Sequence, residues 1–305
     1  MTDHERSLQP TGASDLVHRL AEGVVWDSSR QRLLWVDIPA GEVLEGRLDG
    51  DSVEVVLRHA FVGTVGAVVP VQDGGLLIAG QRGPILVDPD GRARLGPDLL
   101  PAGADSRLND GVCDPAGRFL VGSLPLDDRS GEERLYRIDA DGSARVVDDG
   151  FTLSNGLAFS PDGGTLYHVD SVPGIVWVRS YDVATGAMGP RDEAFRPTGG
   201  IPDGLCVDTD GHLWIAMWGA GEVRRYRADG LLLATLEVPA PHTSSVAFVG
   251  PSLDRLLITT ASQDLSAAQR AEFPHAGKLF LAEVGVAGLP SVPWAGTTTA
   301  GGPSS

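Results

Sequence analysis

The stretch NGLAFSPDGGTLYHVD, residues 155–170, has a pattern that returns along the whole chain. It opens with a polar or small residue, continues with a short apolar run, passes through a turn, and ends in a second apolar run. The second runs are spaced by 43 to 47 residues, which predicts a repeat architecture built from one module per unit. The other five copies begin at Glu22, Val65, Asp110, Asp203 and Ser244.

Each unit carries two more short runs of strand type. A third apolar run follows each pair, for example ERLYRID at 133–139, and a weaker fourth run, such as SVEVVLR at 52–58, closes most units. A helical period is absent apart from LSAAQRAEF at 265–273, which predicts a short helix in a loop. Four strands per unit at this period are typical of a propeller blade, so six units predict an all-β, six-bladed β-propeller.

The last unit lacks a fourth strand, because the segment that follows it at 286–302 is rich in Pro and Gly. The stretch DLVHRL at 15–20 is strand-like and has no partner in its own unit. We therefore predict that this N-terminal strand completes blade 6 and closes the ring, which removes an open sheet edge. The predicted division is a propeller over 15–296, a flexible tail at 1–14 and a disordered tail at 297–305.

Composition excludes several classes of function. With 41 acidic and 24 basic residues the net charge is −17, which would repel a phosphate backbone and predicts no nucleic-acid partner. The chain starts without an apolar signal core and has no apolar run of membrane-spanning length, so we predict a cytoplasmic protein without membrane contact. Cys113 and Cys206 form no CxxC motif and are interpreted as small core residues rather than a disulfide or zinc pair.

Asn109 and Asn155 are the only asparagines in the chain, and both lie at the opening of a repeat. Equivalent positions of a propeller repeat lie on a ring around its axis, so openers with side-chain oxygens are expected to meet at one mouth of the channel. Because a strand alternates its faces, Asp110 is expected to point off the axis, although the pattern leaves open which of Asn109 and Asp110 faces it. The converging residues are Glu22, Asn155, Asp203 and the Asn109–Asp110 pair.

A ring of carboxylate and amide oxygens without Cys or His suits a hard divalent cation, and Ca²⁺, Mg²⁺ or Mn²⁺ fits by ligand type. The alternative for NDG and SNG is ordinary turn chemistry, since Asn tolerates a left-handed backbone. Of the histidines, His168 falls at a core position of its repeat and is interpreted as structural. His242 lies just before a repeat and is a candidate to overhang the channel mouth.

Four motifs in order resemble the regucalcin (senescence marker protein 30)/gluconolactonase family over residues 15–296. They are EGVVWDSSRQRLLWVDIPAGEV, SRLNDGVCDPAGRFLVGSL, LSNGLAFSPDGGTLYHVDS and IPDGLCVDTDGHLWIAMWGAGEVRRY. The resemblance implies one divalent cation in the channel, Ca²⁺ before Mg²⁺, Mn²⁺ or Zn²⁺, held by Glu22, Asn155 and Asp203. It implies that Arg107 contacts substrate, that Asn109 is a substrate contact or a ligand, and that Asp203 is the general base.

The implied function is metal-assisted hydrolysis of a lactone, expected to be a sugar (aldono-)lactone, in which the cation polarises the carbonyl and Asp203 takes a proton from water. The alternatives are hydrolysis of an organophosphate or another ester at the same site, and a calcium-binding or scaffold propeller without catalysis. The chain departs from the family where members often have Gly-Thr-Met and a nearby glutamate. Here the stretch reads GSLPLDDRSGEERLY, and whether Asp127, Asp128, Glu132 or Glu133 reaches substrate is left open.

Overall fold

The strands form six antiparallel sheets of four in the computed structural model, which describes residues 9–127 and 130–299. Strand numbers follow the chain, and β1 spans Thr11–Gly12. Blades 1 to 3 each use four consecutive strands. These are β2 Ala21–Asp27, β3 Arg32–Asp37, β4 Glu42–Asp49, β5 Ser52–Ala60, β6 Val65–Pro70, β7 Leu76–Gly80, β8 Pro84–Val87, β9 Ala93–Leu95, β10 Ser106–Cys113, β11 Phe119–Pro125, β12 Glu133–Ile138 and β13 Ala144–Phe151.

Blades 4 and 5 repeat this order, and blade 6 combines the last three strands with β1. The six-bladed propeller predicted from the repeat is therefore confirmed. The remaining strands are β14 Ser154–Phe159, β15 Thr165–Asp170, β16 Ile175–Ser180, β17 Asp192–Phe195, β18 Ile201–Val207, β19 Leu213–Trp218, β20 Glu222–Tyr226, β21 Leu232–Glu237, β22 Thr243–Val249, β23 Arg255–Thr260 and β24 Phe280–Glu283.

Two short helices complete the described chain. Ile38–Ala40 is a single 3-10 turn, and α1 spans Ala267–Glu272 within the segment predicted to be helical. Ser266 caps α1 by accepting a hydrogen bond from the backbone of Gln269, and the Gln269 side chain accepts one from the backbone of Ser266 in return. Neither helix of the described ranges has the length and apolar character needed to cross a bilayer.

An N-terminal strand closes the ring, as predicted. The strand is β1, however, so the assignment of residues 15–20 to this role was wrong. β1 pairs antiparallel with β24. Residues 15–20 cross the end of blade 6 without a ladder: the His18 backbone N–H donates to Gly277 O at 2.8 Å, and Trp35 Nε1 donates to His18 Nε2 at 3.0 Å. Of their side chains His18 and Leu20 are buried while Val17 is 52% exposed, whereas Thr11 and Gly12 pair through the backbone and carry no apolar signal.

The second strand of each blade is the most deeply buried element. In blade 1 the four residues Leu33 to Val36 are fully buried, while the outermost strand β5 is mostly exposed. A second strand has a neighbouring blade against each face, so both of its faces need apolar side chains. This explains why the second run of every repeat reads as a continuous apolar stretch instead of an alternating one.

After β24 the chain crosses the channel at the end where the innermost strands finish. We call residues 286–299 the C-terminal strap. Ser291 Oγ donates to Trp26 O at 2.5 Å in blade 1, and the Trp294 backbone N–H donates to Pro70 O at 2.8 Å in blade 2. The Trp294 side chain is 2% exposed and packs among the core residues of blades 2 and 3. The strap therefore ties separate blades together.

The last described residues belong to this strap. Thr298 is 5% exposed, and its hydroxyl and backbone N–H both donate to Asp73 Oδ2, at 2.8 and 2.6 Å. The disorder predicted for 297–305 was thus wrong for 297–299, because Pro and Gly content does not reveal side-chain hydrogen bonds. The flexible tail predicted at 1–14 was likewise wrong for residues 11–13, which contain β1 and the buried Ala13. Residues 1–8 and 300–305 lie outside the described ranges, and the flexibility and disorder predicted there stay predictions.

Candidate active site

Every innermost strand breaks its pairing register at the repeat's opening residue. A bulge leaves residues unpaired and turns their side chains away from strict alternation. The opening residues therefore need not follow the two-residue period of an ordinary strand. The breaks lie between Glu22 and Val25, Val65 and Ala67, Leu108 and Gly111, Ser154 and Leu157, Pro202 and Leu205, and Thr243 and Val246.

The glycine after most opening residues brings neighbouring innermost strands together. A Cβ added to Gly156 would lie 2.6 Å from the backbone oxygen of Asp203, and one added to Gly66 would lie 2.5 Å from that of Asn109. Both separations are far below a van der Waals contact, so these positions accept only glycine without a shift of the adjacent blade. The close approach places side chains of adjacent blades within hydrogen-bond reach.

Four residues selected from the sequence form one hydrogen-bonded chain across blades 3, 4 and 5. Arg107 Nη1 donates to Asn109 Oδ1 at 2.7 Å, and Asn109 Nδ2 donates to Asn155 Oδ1 at 3.2 Å. Asn155 Nδ2 in turn donates to Asp203 Oδ1. Asn109, Asn155 and Asp203 are 5 to 6% exposed. The shared repeat phase of the two asparagines therefore corresponds to direct contact at the axis.

Ser171, which the sequence did not indicate, supports this chain. Its hydroxyl accepts from Asn155 Nδ2 at 3.0 Å and donates to Pro202 O at 2.7 Å. Ser171 directly follows the second strand of blade 4, so it belongs to a loop and not to the repeat's opening position. A search restricted to equivalent positions could not find it.

Three carboxylates share this buried space with Arg107. Burial and the charge of Asp110 raise the pKa of Glu22 to about 8, and burial raises the pKa of Asp110 to about 6. Burial, followed by the charges of Glu22 and Asp110, raises the pKa of Asp203 well above its usual range. Burial lowers the pKa of Arg107 to about 10, against the opposing effect of Glu22 and Asp203.

Asp110 therefore lies close enough to Glu22 and Asp203 to act on both, and the prediction that it points off the axis was wrong. The register break of β10 between Leu108 and Gly111 is the physical reason, because it suspends the alternation on which that prediction rested. Both Asn109 and Asp110 can consequently contribute to the axial site.

The residues present fit a hard divalent cation. Three carboxylates face one guanidinium, which leaves a formal charge of −2 in a buried space, and the donors are oxygens, as Ca²⁺ or Mg²⁺ prefers. In the arrangement described, Asn155 presents its amide nitrogen to Asp203. A half-turn of this amide would present Oδ1 instead without changing the shape of the side chain. Glu22, Asn155 and Asp203 are the residues that would hold the ion.

A second group of ligand-type side chains, Asp208, Asp210 and His212, occurs in the β18–β19 hairpin. Its central carboxylate is already occupied, because Asp208 Oδ2 accepts from Trp214 Nε1 at 2.9 Å and from Arg225 Nε at 2.8 Å. Its other oxygen accepts backbone hydrogen bonds of the turn. Arg225 forms ion pairs with both Asp208 and Asp210. These contacts explain the group as one that stabilises the hairpin.

The histidines differ in their surroundings. His168 is 1% exposed, its Nε2 lies 2.7 Å from Ser154 Oγ, and burial lowers its pKa to about 3, which fits the structural role predicted for it. His242 is half-buried and stacks on Trp218 with ring centroids 4.1 Å apart and planes 8° from parallel. It lies two residues before the opening residue Ser244, and its role at the channel mouth stays a prediction.

Of the four acids at 127–133 that were candidates to reach substrate, one has a clear structural role. Glu133 is 4% exposed and is held between two hydroxyls: Ser106 Oγ donates to Oε1 at 2.8 Å, and Ser123 Oγ donates to Oε2 at 2.5 Å. These contacts fix it within blade 3. Asp128 lies outside the described residues, and whether Asp127 or Glu132 reaches substrate stays open.

Beyond the ring, the channel continues as an apolar cavity of about 380 Å³ that ends at the C-terminal strap. Asp110 lines its inner end, and Leu289 and Val292 of the strap line its far end. Cys113 and Cys206 also line it, and both thiols are free, as predicted. The strap thus covers the mouth of the channel opposite to the one near which the axial hydrogen-bond chain lies.

Fold and site together define a six-bladed β-propeller with an acidic, oxygen-lined site on its axis. The chain belongs to the SMP-30/Gluconolactonase/LRE-like region family, whose model matches residues 20–262. The family resemblance inferred from the four sequence motifs is confirmed.

Several relatives match almost the whole chain. The pentonolactonase XacC of Haloferax volcanii is 36% identical over 288 residues, covering 92% of this chain and 96% of its own. The 6-deoxy-6-sulfogluconolactonase of Pseudomonas putida is 37% identical, with 91% and 95% covered. Among solved structures, the calcium-binding protein regucalcin from Agrobacterium tumefaciens is similar with a TM-score of 0.88 at 28% identity, over 94% of this chain and 97% of that chain.

Proposed function

We propose that the chain is a lactonase that opens the ring of a sugar (aldono-)lactone at the axial site with the help of one divalent cation, Ca²⁺ before Mg²⁺, Mn²⁺ or Zn²⁺. Family membership and relatives that are lactonases, such as the two described above, support the reaction class. The observation that carries the proposal is the buried chain Arg107–Asn109–Asn155–Asp203 beside Glu22 and Asp110. Such a cluster of perturbed acids on a channel axis is typical of a functional site.

When bound, the cation would offset the excess negative charge and polarise the lactone carbonyl. Asp203 would hold the cation through one carboxylate oxygen and accept the proton of the attacking water with the other. Its burial strengthens it as a base, and general-base catalysis of this kind contributes roughly 10²–10⁴-fold to a rate. Asn155, which contacts Asp203 in the structure, would supply a second ligand oxygen beside it once its amide is turned.

Arg107 and Asn109 would orient the substrate. Within the described ranges the guanidinium makes its hydrogen bonds through Nη1, to Leu108 O at 3.0 Å and to Asn109 Oδ1 at 2.7 Å. Its remaining N–H groups are then available to lactone oxygens. Asn109 fixes Arg107 on one side and Asn155 on the other, so a substrate bound by Arg107 lies next to the ring of oxygens.

The test is a substrate panel measured by acid release. Pentono- and hexonolactones, a simple carboxylic ester and an organophosphate triester are offered to the protein after treatment with chelator, and then with each of the four metals added back. We expect at least one aldonolactone to be hydrolysed only with metal present. Turnover of the ester or the phosphotriester alone would support the alternative, an esterase or organophosphate hydrolase. No turnover with any metal would leave only a binding or scaffold role.

A further inference from the structure

A groove with four arginines lies between blades 3 and 4 and shares no lining residue with the axial site. It has a volume of about 700 Å³ and is formed by β12, β13, β16 and the segment 185–191. Its arginines come from four separate places in the chain. They are Arg137, Arg145, Arg179 and Arg191.

The charge of the groove is opposite to that of the chain. Two carboxylates pair with these arginines: Asp139 with Arg137 and Arg145, and Asp148 with Arg179 and Arg191. Four positive and two negative groups leave a local charge of +2 in a chain whose net charge is −17. Arg137 and Arg191 also donate to backbone oxygens across the groove, at Gly186 and Asp149, but these contacts do not neutralise the excess positive charge.

Two of the arginines are fixed in place before any ligand arrives. Arg179 is 6% exposed, lines the groove, and its Nε has no hydrogen-bond partner among the described residues. Arg191 lies over the rings of Phe151 and Trp177, at 4.4 and 4.7 Å from their centroids. Arg179 and Arg191 are thus held in place at the wall of the groove, so an oxyanion there would meet a preorganised pair of guanidinium groups.

We propose that this groove binds the phosphate group of a small phosphorylated molecule. Arginine N–H groups match the several oxygens of a phosphate, and the phosphate's charge of nearly −2 balances the local excess of +2. Val147, Met188 and Pro190 give the groove an apolar wall for the remainder of the molecule. This site is separate from the axial one, so it does not depend on the proposed lactonase activity.

Arg145 provides the clean test, because its side chain is 56% exposed and its replacement should not disturb the core. Binding of inorganic phosphate and of glucose 6-phosphate is measured by calorimetry, with chelator present to prevent phosphate binding through an axial cation, and at ionic strength held constant with chloride. We expect saturable binding that Arg145→Glu weakens at least tenfold. Arg92→Glu is the matched control, since this substitution changes the net charge by the same amount. Arg92 is also exposed, at 76%, and pairs with a carboxylate, Asp90, at 2.7 Å.

Equal weakening by Arg145→Glu and Arg92→Glu would overturn the proposal, since it would reduce the effect to overall charge. Absence of saturable binding at constant ionic strength would overturn it as well. Loss of binding in Arg107→Ala, with Arg145→Glu unaffected, would place the anion at the axial site instead. Tighter binding of glucose 6-phosphate than of phosphate alone would support the role of the apolar wall.

Discussion

Asn155 and Asp203 lie 48 residues apart in the chain, and the amide Nδ2 of the first donates a hydrogen bond to the carboxylate of the second. They occupy the same position of successive repeats, in blades 4 and 5. The propeller converts this repeat spacing into contact between neighbours on a ring. Because Asp203 has burial and two nearby carboxylates raising its pKa, this contact lies within a cluster whose charge needs compensation.

Metal should stabilise the folded protein in proportion to its occupancy of the axial site. A ligand that binds only the folded state at 100 times its Kd adds about 2.7 kcal/mol to the free energy of unfolding. We expect added Ca²⁺ to raise the melting temperature, chelator to lower it, and Glu22→Gln to reduce the difference. Asp90→Asn, at a carboxylate that is 73% exposed, should retain the full difference. A melting temperature indifferent to both treatments would show that the site does not bind metal.

Asp110 should contribute to metal affinity, although it was not among the ligands predicted from the sequence. Asp110→Asn replaces one of the three carboxyl groups at the site by a neutral amide of the same shape, so Ca²⁺ affinity is expected to fall by about tenfold, equal to about 1.4 kcal/mol. Calorimetric titration of the variant measures this directly. An unchanged Kd would mean that the carboxylate does not sense the ion.

His168 should make stability depend on pH between about 6.5 and 3. Its pKa in the folded state is about 3, below the ordinary 6.5, so the neutral form is favoured by folding. The contribution is fully present above pH 6.5 and is lost as protons bind the unfolded chain below it, by about 2 kcal/mol at pH 5. Urea unfolding at pH 7 and pH 5 should show a smaller loss for His168→Gln than for the natural protein. Equal losses would show that His168 is not the group responsible.

The C-terminal strap should be part of the stable fold. Trp294 is 2% exposed within the core of blades 2 and 3, and replacing a buried Trp by Ala costs about 3–5 kcal/mol. Trp294→Ala is therefore expected to lower the urea midpoint clearly. Val172→Ala is its control, since Val172 is 64% exposed and surface changes usually stay within about 0.5 kcal/mol. Similar midpoints for the two variants would contradict a structural role for the strap.

Repetition made the propeller and the axial ring readable from sequence, because six copies in the same phase fix which side chains meet. Asp110 was misplaced because alternation assumes an unbroken strand, and the glycine that follows the opening residue was not used as a signal of the bulge. β1 and the strap were missed for a related reason: Thr11, Gly12 and Thr298 are held by hydrogen bonds and not by apolar periodicity. Ser171 lies in a loop, where the repeat phase carries no information.

The most direct test of the axial site is lactone hydrolysis by Asp203→Asn measured against metal concentration. The variant keeps the shape of Asp203 and one possible ligand oxygen but removes its charge and its proton acceptor. Asn155→Ala removes a ligand and no base, and Asp162→Asn changes an exposed turn carboxylate that bonds to Ser160.

If Asp203 is both ligand and base, its variant should bind metal somewhat more weakly and turn over at least 10²-fold more slowly, with no recovery at saturating metal. Asn155→Ala should recover part of its rate, and Asp162→Asn should keep its rate throughout. Full recovery of Asp203→Asn by metal would reduce Asp203 to a ligand, and an unchanged rate would contradict the assignment of the axial site as the place of catalysis.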